Sequence, residues 1–261
     1  MLTLLSPAKK LNMDAYEGGL DVTQPRLLDD MKSLAKTAKT QSQDDLKRLM
    51  HLSDNLAALN HERFSTFNLD NRSNTMKPAG LAFDGDVYWG LEAKSLSDTD
   101  LDYAQDHVRI LSGLYGLLRP MDVIQPYRLE MGTKLENERG ASLYDFWGRQ
   151  ISDLLLDDLN GHHDQTIVNL ASNEYVKAVD RKALGRPMID VKFLEVKDGK
   201  SRPIQYYTKF GRGVFARWII QNRVNHAADL KDFAENDYVF DADRSTDDTL
   251  VFERPQPPKK S

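Results

Sequence analysis

The chain has no cysteine among its 261 residues. That absence excludes disulfides, iron–sulfur clusters, thiolate zinc sites and a cysteine nucleophile, and it removes peroxide sensing by thiol oxidation. No apolar run approaches the ~18 residues a membrane helix needs, and none follows a basic N-terminal stretch as in a secretory leader, because the apolar start is only Met1 to Leu5. A cytoplasmic protein is the expectation. Nucleotide-loop signatures of the type GxxxxGK and GxGxxG are absent, as are HExxH, ExxH and GxSxG, so the familiar P-loop, dinucleotide, zincin, ferritin-like and hydrolase sites are not expected. No cofactor or metal follows from the sequence. An excess of positive charge is also missing: the formal net charge is -5, which argues against coating nucleic acid through bulk charge.

What is present is ordinary globular material, with 40% hydrophobic and 29% charged residues. The charge is segregated: Lys177 to Arg223 holds 12 Lys/Arg against 4 Asp/Glu, whereas Asp229 to Asp248 holds 8 acids against 2 bases. Such blocks either form a basic face on an acidic protein or neutralise each other as solvated surface. Repeats, low-complexity tracts and Gly/Ser linkers are lacking, so one domain over 1–254 with a flexible tail over 255–261 is expected.

Periodicity predicts a short strand at 2–5 and helices over 26–40, 42–51 and from Ser53 or Asp54 to about Phe67. The last two are separated by Leu52-Ser53, a helix–tight turn–helix unit. A strand is predicted over 80–83, a helix from Ser97 to about His107, a helix over 141–159, and a strand over 167–170. Asp198-Gly199 predicts a hairpin joining 188–196 to 202–207, then a basic helix over 210–223 and short strands over 237–241 and 249–253. The fold class is therefore mixed α+β, a mixed sheet flanked by helices.

Five clusters carry possible chemistry. Ser6-Pro7-Ala8-Lys9-Lys10 follows a strand, where lysines can meet an anion, although a solvated turn has the same composition. Phe83-Asp84-Gly85-Asp86 offers two carboxylates for acid/base or Mg²⁺ chemistry, or simple turn capping. The stretch from Arg109 to Pro120, with Tyr127-Arg128-Leu129-Glu130, joins glycines to Arg109, Arg119 and Arg128. Asn169 to Lys177 runs a strand into a helix start capped by Ser172, with Glu174 and Lys177 as an anion site's residues or a plain surface pair. Lys209, Arg212 and Arg217 lie on the basic helix, Phe215, Trp218 and Ile219 on its core face.

Together and in order, the strings LLSPAKKL, LAFDGDVYWGL, RILSGLYGLLRPMDVIQPYRLEMGTKL, LYDFWG, VNLASNEY and FGRGVFARWIIQNR resemble the YaaA family of bacterial peroxide-stress proteins, from Met1 to about Arg254. The resemblance implies a fold of unusual topology with a helix-hairpin-helix element and a positively charged cleft, DNA binding, protection of DNA against peroxide, and lowered free intracellular iron. Leu46 to Phe64 best matches the hairpin, with Ser53, Asp54 and Asn55 in its turn; that turn has no glycine, and Asn55 stands where the family often places lysine. On this reading Lys9, Lys10, Arg109, Arg119, Arg128, Lys177, Lys209, Arg212 and Arg217 contact phosphates of duplex or branched DNA without reading sequence. The alternative is an enzyme on a phosphate-bearing substrate, with Asp84, Asp86, Glu130 and Glu174 as acid/base or Mg²⁺ groups. Direct iron holding by Asp84, Asp86 and Glu130 is a third, weaker reading. A pocket with converging carboxylates favours the enzyme; a long cationic groove favours DNA.

Overall fold

A computed structural model describes residues 1–258. The chain opens with β1 (Leu2–Leu5), the short β2 (Lys10–Leu11) and the helices α1 (Leu28–Lys39), α2 (Gln43–Met50) and α3 (Asp54–Thr66). Then come β3 (Lys77–Pro78), α4 (Ala79–Ala82), β4 (Phe83–Asp84), α5 (Asp86–Leu91) and α6 (Asp98–His107). The strands β5 (Val108–Ser112), β6 (Gly116–Leu118) and β7 (Val123–Ile124) lead to α7 (Leu143–Trp147) and α8 (Gln150–Leu159). The C-terminal part holds β8 (Ile167–Asn169), α9 (Asn173–Val176), α10 (Arg181–Leu184), β9 (Met188–Lys197) and β10 (Lys200–Arg202). It closes with α11 (Gln205–Gln221), β11 (Val239–Phe240) and β12 (Thr249–Pro255).

The fold is mixed α+β. An eight-stranded sheet runs β11-β12-β9-β8-β1-β5-β6, with β10 also paired to β9. β1 lies inside it, parallel to β5 on one side and to β8 on the other. All four β1 residues are buried, as expected for a parallel strand covered on both faces. β8, β9 and β12 continue in parallel, while β6 and β11 turn back as antiparallel strands. Phe193 of β9 anchors an aromatic cluster with Phe215, Phe233, Tyr238 and Phe252, its ring centroid 5.0 to 6.2 Å from each of theirs.

Several predicted elements take another form. Residues 80–83 are not a strand: Ala79-Gly80-Leu81-Ala82 makes one helical turn, and only Phe83 and Asp84 are extended. Gly80 lies against Pro120, where its own Cβ would come within 3.2 Å, and its N–H donates to the Pro120 carbonyl. The strand expected at 202–207 ends at Arg202, since Pro203 offers no ladder donor, and the basic helix starts at Gln205 rather than 210. The helix expected over 141–159 is two, divided at Gly148, whose φ of 46° ends α7 in a conformation glycine tolerates. β12 reaches Pro255, and Gln256 N–H donates to the Val196 carbonyl; residues 259–261 of the expected tail lie outside the described residues. No described helix is long and apolar enough to cross a membrane.

Candidate functional site

At the carboxyl ends of β1 and β8 the chain leaves the sheet in two loops that are tied together. The Ser172 N–H donates to Ser6 Oγ at 2.8 Å, and the buried Tyr88 hydroxyl donates to the Ser6 carbonyl at 3.0 Å. Ligands of open α/β sheets bind beyond such strand ends, where connections depart in opposite directions; here β1 leads to β5 on one side and β8 to β9 on the other. A cleft of about 540 Å³ opens there, lined by the 6–10 loop, residues 84–89, residues 127–130, Ser172 to Tyr175 and the first half of α11.

Two glycines set the cleft wall. A Cβ on Gly213 of α11 would stand 1.8 Å from the Val87 carbonyl, and one on Gly90 of α5 would stand 2.2 Å from the Phe210 carbonyl. The helices therefore meet backbone to backbone, which places Asp86 and Trp89 beside Lys209 and Arg212. Arg217 fastens the contact by donating to the Leu91 and Glu92 carbonyls, both at 3.0 Å, at the end of α5, a favourable place for a cation.

Every cation lining the cleft but one is ion-paired to the described residues. Glu130 accepts from Lys9 at 2.8 Å and from Arg128 at 3.0 Å, Asp84 pairs with Lys10 at 2.7 Å, and Asp86 faces Lys209 at 3.7 Å. Asp84 is held below the usual carboxylate range by the hydrogen bond from Lys10 and then by that from the Trp89 indole. Glu174 accepts the Gly132 N–H at 2.9 Å. Arg212 alone among these cations has no ion pair or hydrogen bond to the described residues. Its Nε is buried and unpartnered, and burial pulls its pKa down, with Asp190 acting only at longer range. Arg128 Nε is likewise buried without a partner. Arg63, at the end of α3, is lowered by burial and then by the nearby charge of Arg128. Exposed guanidinium N–H groups facing a cleft are forks for an oxyanion.

Lys9, Lys10, Arg128, Lys209 and Arg212 thus meet in one place, together with Asp84, Asp86, Glu130 and Glu174. Four other expected phosphate contacts do not line the cleft. Arg109 is buried, donating to Asp158 at 2.6 Å and to the Gln105 and Val108 carbonyls, and Arg26 holds the same carboxylate. Arg119 is spent on the fully buried Asp122 at 2.8 Å. Arg217 caps α5, and Lys177 lies over the Tyr144 ring at 4.8 Å. Glu174 and Lys177, weighed from sequence as a surface pair, have separate partners. In the turn between α2 and α3, Ser53 caps α3 through its hydroxyl, Asp54 pairs with Lys47, and Asn55 is exposed. A carboxylate therefore faces the lysine of α2.

Sequence reasoning placed Tyr127 and Tyr175 within its clusters without giving them a role, and it missed Trp89 and Gln205 of the lining and Arg63 nearby. Trp89 lies just past the cluster marked for its aspartates, and a tryptophan close behind a polar turn was the available signal. Arg63 reaches Arg128 only through tertiary packing. Among the described residues no group of three or more His, Asp or Glu side chains is arranged to hold a metal ion, and each carboxylate proposed for iron already faces a cation of its own.

Comparison with known proteins agrees with the motif reading. Residues 1–244 match the family described as Peroxide stress protein YaaA. The chain is 51% identical over 258 residues to a UPF0246 protein of Phenylobacterium zucineum, covering 99% of this chain and 96% of that one. It is 49% identical to a UPF0246 protein of Maricaulis maris, over 98% and 97% of the two chains. The counterpart in Caulobacter vibrioides is also 49% identical, over 98% of this chain and 100% of that one.

Proposed function

The chain belongs to the YaaA family of peroxide stress proteins, and from that premise we propose that the cleft beyond β1 and β8 is its working site, holding one phosphate-bearing unit of nucleotide size. DNA or a free nucleotide supplies that unit. The observation that carries this is Arg212, a half-buried arginine without a carboxylate whose Nε is buried and unpartnered, lining the same cavity as Arg128, whose Nε is orphaned too. An unpaired, partly desolvated cation is costly in the free protein, and a bound oxyanion removes the cost.

The charge of the cleft sets the scale of the ligand. Its lining holds five cations and four carboxylates, a balance of +1, which suits one phosphodiester or phosphoryl group and not a tract of duplex backbone. DNA binding in this reading is a grip on one phosphate with an adjoining nucleotide, and affinity falls gently with salt. The test is a salt titration of duplex, four-way-junction and short 5′-phosphorylated single-stranded DNA. Wild type is compared with Arg212→Ala and with Lys9→Ala/Arg128→Ala. Weakened binding in both variants supports the proposal; Arg212→Ala binding as wild type does sinks it.

A second reading is favoured by the carboxylates that converge on the same cavity. Asp84 is committed to Lys10 and Trp89, and Glu130 to two cations, so Asp86 and Glu174 are the acid/base candidates. Turnover of phosphate esters that vanishes in Asp86→Asn or Glu174→Gln supports an enzyme; ligand binding without turnover under any condition removes it.

A further inference from the structure

We infer that the ligand also carries a flat heteroaromatic ring, a nucleobase, and that Trp89 is the surface on which this ring stacks while Arg212 takes the phosphate. The inference rests on the phosphate-site reading above. It begins with the unusual placement of a tryptophan. Trp147 is fully buried, and Trp218 packs against Phe215 and Phe233 at 5.8 and 5.5 Å. Trp89, by contrast, is 51% exposed. Leaving so much of the largest apolar side chain in water forgoes its burial energy.

The exposed ring is nevertheless held fixed. Its indole N–H donates to Asp84 Oδ1 at 2.6 Å, and Asp84 Oδ2 is itself held by Lys10 at 2.7 Å. The backbone beneath it belongs to α5, pinned to α11 by the glycine contact at Gly90 and capped by Arg217. A ring fixed by a hydrogen bond has already lost its rotamer freedom, so a planar partner stacks on it with little further ordering. Trp89 lines the same cleft as Arg128 and Arg212, and also borders a second recess of about 330 Å³ that reaches Asn12 and Lys94. An aromatic platform beside a phosphate fork is the pairing that recognises a nucleotide without reading its sequence.

The experiment titrates full-length protein with inorganic phosphate, ribose 5-phosphate, adenosine monophosphate and a 5′-phosphorylated single-stranded oligonucleotide. Calorimetry and tryptophan fluorescence are followed in wild type, Trp89→Phe, Trp89→Ala and Arg212→Ala. The monophosphate nucleotide is expected to bind wild type about tenfold or more tighter than ribose 5-phosphate and to quench fluorescence. Trp89→Phe keeps most of that advantage. Trp89→Ala loses it while binding inorganic phosphate as wild type does. A tighter oligonucleotide assigns the site to a strand, and an equal or weaker one to a free nucleotide; stacking stands in both cases. Equal binding of ribose 5-phosphate and the nucleotide to wild type, with Arg212→Ala weakening both, overturns the stacking and leaves the phosphate site intact. Loss of inorganic phosphate binding in Trp89→Ala overturns it too, by making Trp89 a structural residue. No binding of any probe removes both readings.

Discussion

Arg212 sits where folding alone has no use for a charge: half-buried, with its Nε unpartnered, on the cleft side of a helix packed against α5 and β9. Arg212→Met keeps the stem and discards the charge, so it should stabilise the ligand-free protein. A gain of about 1 kcal/mol raises the melting temperature by roughly 2–4 °C in a chain of this size. Added phosphate ligand should raise the melting temperature of wild type and leave that of the variant in place, and both shifts are read in one thermal scan. His162 makes a separate prediction. Burial, and then the neighbouring charge of the amino terminus, lower its imidazole from 6.5 to about 4; burial lowers His107 beside it as well. Between those values the unfolded chain takes up a proton that the folded chain refuses, so stability is full above pH 6.5 and declines as pH falls toward 4. Thermal melts across that window should show His162→Gln declining less steeply than wild type. The sequence marked Arg212 as one of a run of cations and gave no means of separating it from Arg109. Whether an arginine finds a carboxylate depends on Asp158, 49 residues further along, and no local pattern encodes that meeting.

The contact between α5 and α11 is the element on which the cleft depends. Gly213→Ala must push the two backbones apart, because its Cβ has 1.8 Å to the Val87 carbonyl. A loss of about 3 kcal/mol or more is expected, together with weaker ligand binding, checked by denaturant melts and titration. Arg109 supplies the contrasting case. Arg109→Met leaves Asp158 with Arg26 alone and breaks a buried pair, for about 3–5 kcal/mol, yet ligand affinity measured on the folded fraction should be unchanged. An equal loss of affinity would put Arg109 back among the ligand contacts. Elements with their own local signals were legible. Ser42 and Ser97 form capping boxes with Asp45 and Asp100, and α2, α3 and α6 begin where those signals put them. α5 was not, since Asp86–Leu91 reads as turn residues followed by an apolar cluster. Its helical state is imposed by the α11 surface. The same applies to Ala79–Ala82, where packing against Pro120 overrode the apolar run.

Across the whole molecule the net charge of -5 and the balanced cleft combine into one expectation. The dependence of log affinity on log salt should have a slope of about -1 to -2 for any DNA ligand; a slope steeper than about -5 would mean a wide backbone contact that the single cleft cannot supply. The clusters were visible in the sequence as separate strings. Their convergence was not, because it follows from β1 lying between β5 and β8. That strand order also has a consequence for synthesis. Leu2–Leu5 leaves the ribosome well before its partners, residues 108–112 and 167–169. At about 5–20 residues per second, the nascent chain carries this leucine-rich strand without a neighbour for on the order of ten seconds. The segment that will form the middle of the sheet is, during that interval, the one most in need of a chaperone.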